Sequence, residues 1–479
     1  MPDKLFYNFS IKDAFFVRIL FRSAKMRRQL KRSESIMKKK FLQLFGIFST
    51  VVFLTGCAKP VISPSENPSN NQYNEMPIGE GAVNMTEGSG GLESLGEPTE
   101  AEEKALSNAS VKVFLETIKK ESDEKNVLLS PTSLMFALGM TENGANGQTL
   151  EEMENTMNGG ISIEELNRIL SYTANHLESS EDVEWNVADS IWVRDEEGLK
   201  LNQDFLNKVV SYYCAEIWKA PFDQSTVDDI NNWVNNNTKG MIPEILDQIP
   251  ADAVMYLVNA IAFEGEWEEQ YSEDDIYENE IFHNADGSTT TVTMLRSEEN
   301  RYFELAGGEG FIKTYKGGEY AFVGILPEEG MTTKEYINKL AENGEDFSKA
   351  IREAEFEEVI VNMPEFTNDY EKEMSSVFAE AGMPSAFHPE TADFTNMFAP
   401  DENGYVYEPY IGRILHKTHI EVDREGTKAA AVTVVEMKCE AVMEMEEPLR
   451  ITLDRPFVYA IVDTTTGLPI FLGCQNTME

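Results

Sequence analysis

The spacing of apolar residues changes period several times along the chain, and each change marks an element. Ala105, Ala109, Val113, Phe114 and Leu115 recur at near-helical intervals and predict an amphipathic helix over Ala105–Ile118. Asn126–Ser130 is a short apolar run and reads as a strand. A helix is then expected from Pro131 through Met140, because proline has no N–H to lose in a first turn and Ser130 stands in the capping position. Further helices are expected to begin at Gly147–Met153 and at Ser162–Leu166, and to run over Asn202–Tyr213 and Val227–Asn236. Trp185–Val193 alternates, sending Ala188, Ser190 and Trp192 to one face, whereas Val254–Phe263 is apolar enough to be a strand covered on both faces. Glu358–Met363, Ile420–Asp423 and Pro456–Val462 add further strands. No unit of roughly 20–50 residues repeats, so a solenoid is not expected. The mixture reads as one α+β domain over residues 101–479.

Charge divides the chain before that domain begins. Residues 1–56 hold 12 Lys/Arg against 3 Asp/Glu, while the remainder holds 28 against 81. Such a break separates a targeting segment from a mature protein. Within it, the basic head Met37-Lys38-Lys39-Lys40 precedes an apolar run, Phe41–Leu54, and then Leu54-Thr55-Gly56-Cys57. The run is shorter than the roughly 20 residues needed to span a bilayer. Residues 1–56 therefore read as a signal-peptide region, with Met37 a better start than Met1. The Leu-Thr-Gly-Cys order resembles the lipobox of bacterial lipoproteins, which implies acylation of Cys57; the alternative is ordinary secretion with an unmodified cysteine. Lys59–Pro98 is rich in Pro, Ser, Asn, Gly and Glu, so residues 57–100 read as a disordered tether with a reach of some ~35 Å.

The net charge of −44 argues against nucleic acid or an anionic lipid surface as partner, leaving the anchor as the expected contact with a membrane. Cys57, Cys214, Cys439 and Cys474 show no paired spacing, so neither a disulfide framework nor a metal site is signalled. No GxSxG, HExxH, phosphate-binding loop or dinucleotide fingerprint is present, which speaks against an enzyme, and no cofactor is expected.

Five segments, in order, resemble the serpin family. They are Asn126–Met153 with its Ser-Pro-x-Ser turn, Ile230–Leu246, Leu257–Trp267 (LVNAIAFEGEW), His416–Val434 (HKTHIEVDREGTKAAAVTV) and Asp454–Gly473. The resemblance implies mixed β-sheets with about eight or nine helices and an exposed reactive-centre loop. It also implies a single-turnover inhibitor of serine proteases: the loop is cleaved, the enzyme is trapped as an acyl ester, and the loop enters a sheet as a new strand. The residues of the loop base fit that task. Gly426 allows the backbone to bend. Beyond it Thr427, Ala429, Ala431, Thr433 and Val435 share one face, and Lys428, Ala430, Val432 and Val434 the other. The first face is small or β-branched and uncharged, so it can be buried without the large cost of a desolvated charge.

By the same resemblance Ser130, Ser133, Asn259 and His416 form a polar shutter beneath the parting strands, and Trp267 marks the breach where insertion begins. Arg424 departs from the family's usual acidic residue at the sheet top, which puts the ion pair there in doubt. Counting from Gly426 places the scissile bond at Glu440–Ala441, or at Cys439–Glu440 with a loop one residue shorter. These residues suit an elastase-like or Glu-tolerant serine protease; a cysteine protease is a further class of target. A monomer, lipid-anchored outside a bacterial membrane, is expected. A non-inhibitory serpin acting as a surface binding or carrier lipoprotein is the alternative.

Overall fold

A computed structural model describes residues 75–86, 96–179, 183–197, 199–213, 215–251, 253–427 and 448–478. Three sheets organise them. The largest has seven strands in the order β1 (Val83–Asn84), β4 (Glu216–Ala220), β3 (Val183–Arg194), β5 (Met255–Glu266), β14 (Gly426–Thr427), β13 (Leu415–Val422) and β12 (Phe366–Glu373). A second runs β2 (Val127–Leu129), β17 (Pro469–Gln475), β16 (Phe457–Asp463), β10 (Tyr320–Pro327), β9 (Gly308–Thr314) and β8 (Tyr302–Leu305). The third is β15 (Leu449–Thr452), β11 (Val359–Pro364), β7 (Thr289–Glu299) and β6 (Ile276–His283).

Nine α-helices are present among the described residues: α1 (Glu100–Ile118), α2 (Pro131–Glu142), α3 (Gly147–Met157), α4 (Ile163–Ser179), α5 (Gln203–Tyr213), α6 (Gln224–Asn237), α7 (Thr333–Asn343), α8 (Phe347–Arg352) and α9 (Ser375–Ala381). The α+β expectation is met.

The first helix begins five residues before its apolar periodicity does. Thr99 caps it through a reciprocal box with Glu102, and Glu100, Glu102 and Glu103 supply the negative charge that a helix start favours. Helix α2 obeys the expected start, with Ser130 Oγ accepting the Ser133 N–H at 3.1 Å and proline in the first turn. Every residue of α2 except Ala137 is buried, as suits a helix that packs between β5 and β17.

A smaller apolar cluster lies apart from the main core. Trp192, Phe222, Ile230, Trp233 and Val258 are its buried centre, and α6 covers it on the largest sheet. Residues 75–86, which composition assigns to the tether, lie against this region. Asn236 of α6 exchanges two hydrogen bonds with the Met76 backbone at 2.8 Å each, Asn232 donates to Pro77 O at 3.0 Å, and Asp229 Oδ1 accepts the Gly79 N–H at 2.6 Å. Ile78 packs on the cluster, and Val83–Asn84 pairs with the outer edge of β4. Backbone groups do most of this docking, which is why side-chain composition does not announce it.

Candidate functional site

The loop base enters the largest sheet at one end. Thr427 stands opposite Gly265 of β5 on one side and Val422 of β13 on the other, so the short strand β14 separates β5 from β13. No direct β5–β13 pairing occurs among the described residues. Close approach explains the glycine: a Cβ on Gly426 would lie 2.1 Å from Gly265 O.

The turn that delivers the loop is held from within and from below. Asp423 Oδ1 accepts the N–H groups of Glu425 at 2.7 Å and Gly426 at 3.0 Å. Trp267 binds the same turn twice, its backbone N–H donating to Glu425 O at 3.1 Å and its indole N–H to Asp423 O at 2.9 Å. The indole stacks on Tyr315 with centroids 4.7 Å apart, and the Tyr315 hydroxyl meets Thr427 Oγ1 at 2.7 Å. Lys313 closes the floor, its ammonium 3.0 Å from Glu299 Oε1 and above the rings of Trp267 and Tyr271. Trp267 thus binds the 423–425 turn directly, while Asp423, Tyr315 and Lys313 are partners that spacing alone does not reveal.

An ion pair does form at the sheet top, with its charges exchanged. Arg424 Nε and Nη2 donate to Glu365 Oε1 at 2.9 Å and Oε2 at 3.2 Å, a two-pronged contact. The doubt raised by Arg424 alone is resolved by a carboxylate 59 positions earlier in the chain.

Lower in the sheet, three of the four residues expected at the shutter converge. The Ser130 N–H donates to His416 Nε2 at 3.1 Å, Ser130 Oγ donates to Ile470 O at 2.8 Å, and the Ser133 N–H donates to Ser130 Oγ. His416 must be neutral to accept, and burial pushes its pKa down to about 4. Thr418, two residues on, donates to Leu128 O at 2.8 Å and extends the link between β13 and β2. Asn259 belongs to β5, opposite Asp189, and its side chain lies outside what is described. At the other end of β5 a cavity of about 560 Å³ opens beside Met255, Leu257, Tyr407, Ile411 and Leu415. Ala429, Ala430, Ala431, Val432 and Thr433, the bond candidates Cys439, Glu440 and Ala441, and Cys57 all lie outside the described residues.

Residues 104–477 match the sequence model of the family described as serpin, serine protease inhibitor. The chain belongs to the serpin family. Among curated relatives, an uncharacterized serpin-like protein of Thermococcus kodakarensis is 28% identical over 436 residues, 88% of this chain and 96% of its own length. Human neuroserpin is 25% identical over 400 residues, 80% of this chain and 93% of its own. The crystal structure of the thermophilic serpin tengpin in its native state superposes with a TM-score of 0.74 at 38% identity, covering 83% of this serpin and all of tengpin. Tengpin in its latent state gives 0.67 at 37% identity over 80% of this chain and again all of tengpin. Members of the family are generally inhibitors of serine proteases rather than catalysts.

Proposed function

We propose that this serpin inhibits a serine-type endopeptidase by loop cleavage, covalent trapping and insertion of the loop between β5 and β13. One observation carries the reading: Gly426 and Thr427 already occupy that position as β14, with Thr427 buried. Each further residue that follows them adds backbone pairing on two sides and buries an uncharged side chain on one face. The uncleaved protein is then a metastable state, held by a barrier rather than by equilibrium.

The chemistry of attack belongs to the protease. Its serine adds to the carbonyl of the loop bond and expels the amine of the next residue, and the ester that remains is carried away by the inserting strand before water reaches it. We place the bond at Glu440–Ala441, or one residue earlier at Cys439–Glu440, and assign an elastase-like or Glu-tolerant target. The protein is proposed to act as a monomer anchored through acylated Cys57 outside a bacterial membrane, without a cofactor.

The test is incubation with a panel of serine and cysteine proteases, followed by denaturing electrophoresis and intact mass. An SDS-stable complex and a released peptide beginning at Ala441 or Glu440 are expected. Cleavage without a complex across the panel would overturn inhibition and favour the carrier role. Mass spectrometry of the membrane fraction tests the anchor, and an intact residue 1 on soluble protein would refute it.

A further inference from the structure

Glu142, the last residue of α2, is 1% exposed where α2 meets the turn between α3 and α4. Asn158 caps α3 beside it and donates from Nδ2 to Glu142 Oε1 at 2.7 Å and to Ile161 O at 3.3 Å. The bond to a carbonyl fixes which end of the amide is nitrogen. Two atoms of the pair are left over, Glu142 Oε2 and Asn158 Oδ1, both buried and without a hydrogen-bond partner. With Glu142 ionised both are acceptors, so a buried carboxylate and a buried carbonyl would each lack a donor, and each omission is costly. One proton on Oε2 supplies the only donor needed.

The surroundings favour that proton. Burial, opposed by the amide bond and reinforced by Glu154 of α3 and Glu164 of α4, holds the carboxyl well above the usual range. From α5 the buried Tyr213 hydroxyl also approaches, but it is engaged with Asn143 and Asn167 and carries no charge. Among the described residues, no lysine, arginine or histidine acts on Glu142.

We propose that Glu142 is a resident neutral carboxylic acid whose O–H donates to Asn158 Oδ1, closing a two-bond acid–amide ring that locks the C-terminal end of α2. The N-terminal end of the same helix is held by Ser130 on neutral His416. The shutter helix is therefore pinned at both ends by groups that must stay uncharged, one an acid and one a base. Protonating His416 releases one end at low pH, and ionising Glu142 releases the other at high pH. This conclusion does not depend on whether a protease is trapped.

Infrared difference spectra of the full chain at neutral pH, wild type minus Glu142→Gln, test it. A protonated-carboxyl band is expected, and a carboxylate band in its place would overturn the proposal. Glutamine can form the same ring without a proton, so Glu142→Gln should lose the fall in urea-unfolding midpoint that Glu142 causes as pH rises above about 4.5. The ratio of the two unfolding constants should widen with pH by up to about tenfold per unit between about 4.5 and the folded pKa. A constant ratio would refute the ring. If Glu142→Gln does not fold, Asn158→Leu serves: its carboxyl band should move to the position of an acid without an acceptor, and an unmoved band overturns the idea. Wild-type stability that rises with added calcium and falls with chelator would assign the site to a cation instead.

Discussion

Tyr315 and Thr427 meet hydroxyl to hydroxyl at 2.7 Å with both side chains buried. The hinge residue is therefore held by a polar contact as well as by its small size. Thr427→Val keeps the shape but leaves the tyrosine hydroxyl unpaired, at about 1–3 kcal/mol. Tyr315→Phe leaves the threonine in the same position. The double variant removes both partners, so its loss in urea unfolding should be smaller than the sum of the singles. Additive losses would show that the contact carries no energy.

Thr427→Arg should give a folded protein that is cut in the loop without trapping the protease. Seating residue 427 would bury a guanidinium beneath the sheet top, where Thr427 Oγ1 now meets the Tyr315 hydroxyl. Densitometry of complex against cleaved product measures this, and wild-type yields of complex would refute the seating of residue 427.

Arg424 and Glu365 are partly exposed, so their pair contributes on the order of 1 kcal/mol. Arg424→Glu places two carboxylates together and should lower the thermal midpoint, the more so at low salt. Adding Glu365→Arg should restore most of the loss. A double variant no better than the single would mean that the pair's orientation, rather than its charge, matters.

His416 titrates near 6.5 in an unfolded chain but at about 4 in the fold. A base with a lowered folded pKa gives stability that is whole above 6.5 and is lost as pH falls toward 4, roughly 3 kcal/mol across that window. Glu142, with its raised pKa, pulls the other way over the same window, so the fall is read in a Glu142→Gln background, where urea midpoints should drop between pH 7 and 4.5. His416→Gln should show a flatter profile at a lower plateau.

Deleting residues 75–86 should lower the thermal midpoint and expose the edge of β4. The deletion removes the hydrogen bonds to Asp229, Asn232 and Asn236 and the packing of Ile78. Calorimetry gives the midpoint, and size-exclusion chromatography reports association through the open edge. An unchanged midpoint would mean that the docked segment is passive.

The parts of the site that were legible in the sequence are those governed by local pattern. The bend at Gly426, the Ser130–Pro131 helix start and the apolar strand ending near Trp267 all follow from residues close in the chain. What escaped depends on distant partners. Arg424 cannot be judged without Glu365, nor Thr427 without Tyr315, because the fold alone brings them together. The consecutive strands β6 to β10 also gave little signal, since most of β6 is exposed, with Glu278 and Glu280 in its middle, rather than alternating. The docking of 75–86 rests on backbone atoms of Met76, Pro77 and Gly79, which no composition encodes.

The strand register gives the protein a polarity with respect to any anchored N-terminus. Val83 is level with Lys219, Val193 and Met255 across four strands, whereas Thr427 is level with Gly265, ten residues further along β5. The leash therefore grips one pole of the sheet and the bait leaves from the other, about 33 Å away. Docking also shortens the leash, leaving 17 residues between Cys57 and Glu75, so that the two lie at most about 60 Å apart. With Cys57 in a membrane, Thr427 would stand at the pole of the sheet opposite the docked segment. A captured enzyme, swept the length of β5, would arrive at the tethered pole, where a body of its own size must share that gap with the lipid surface.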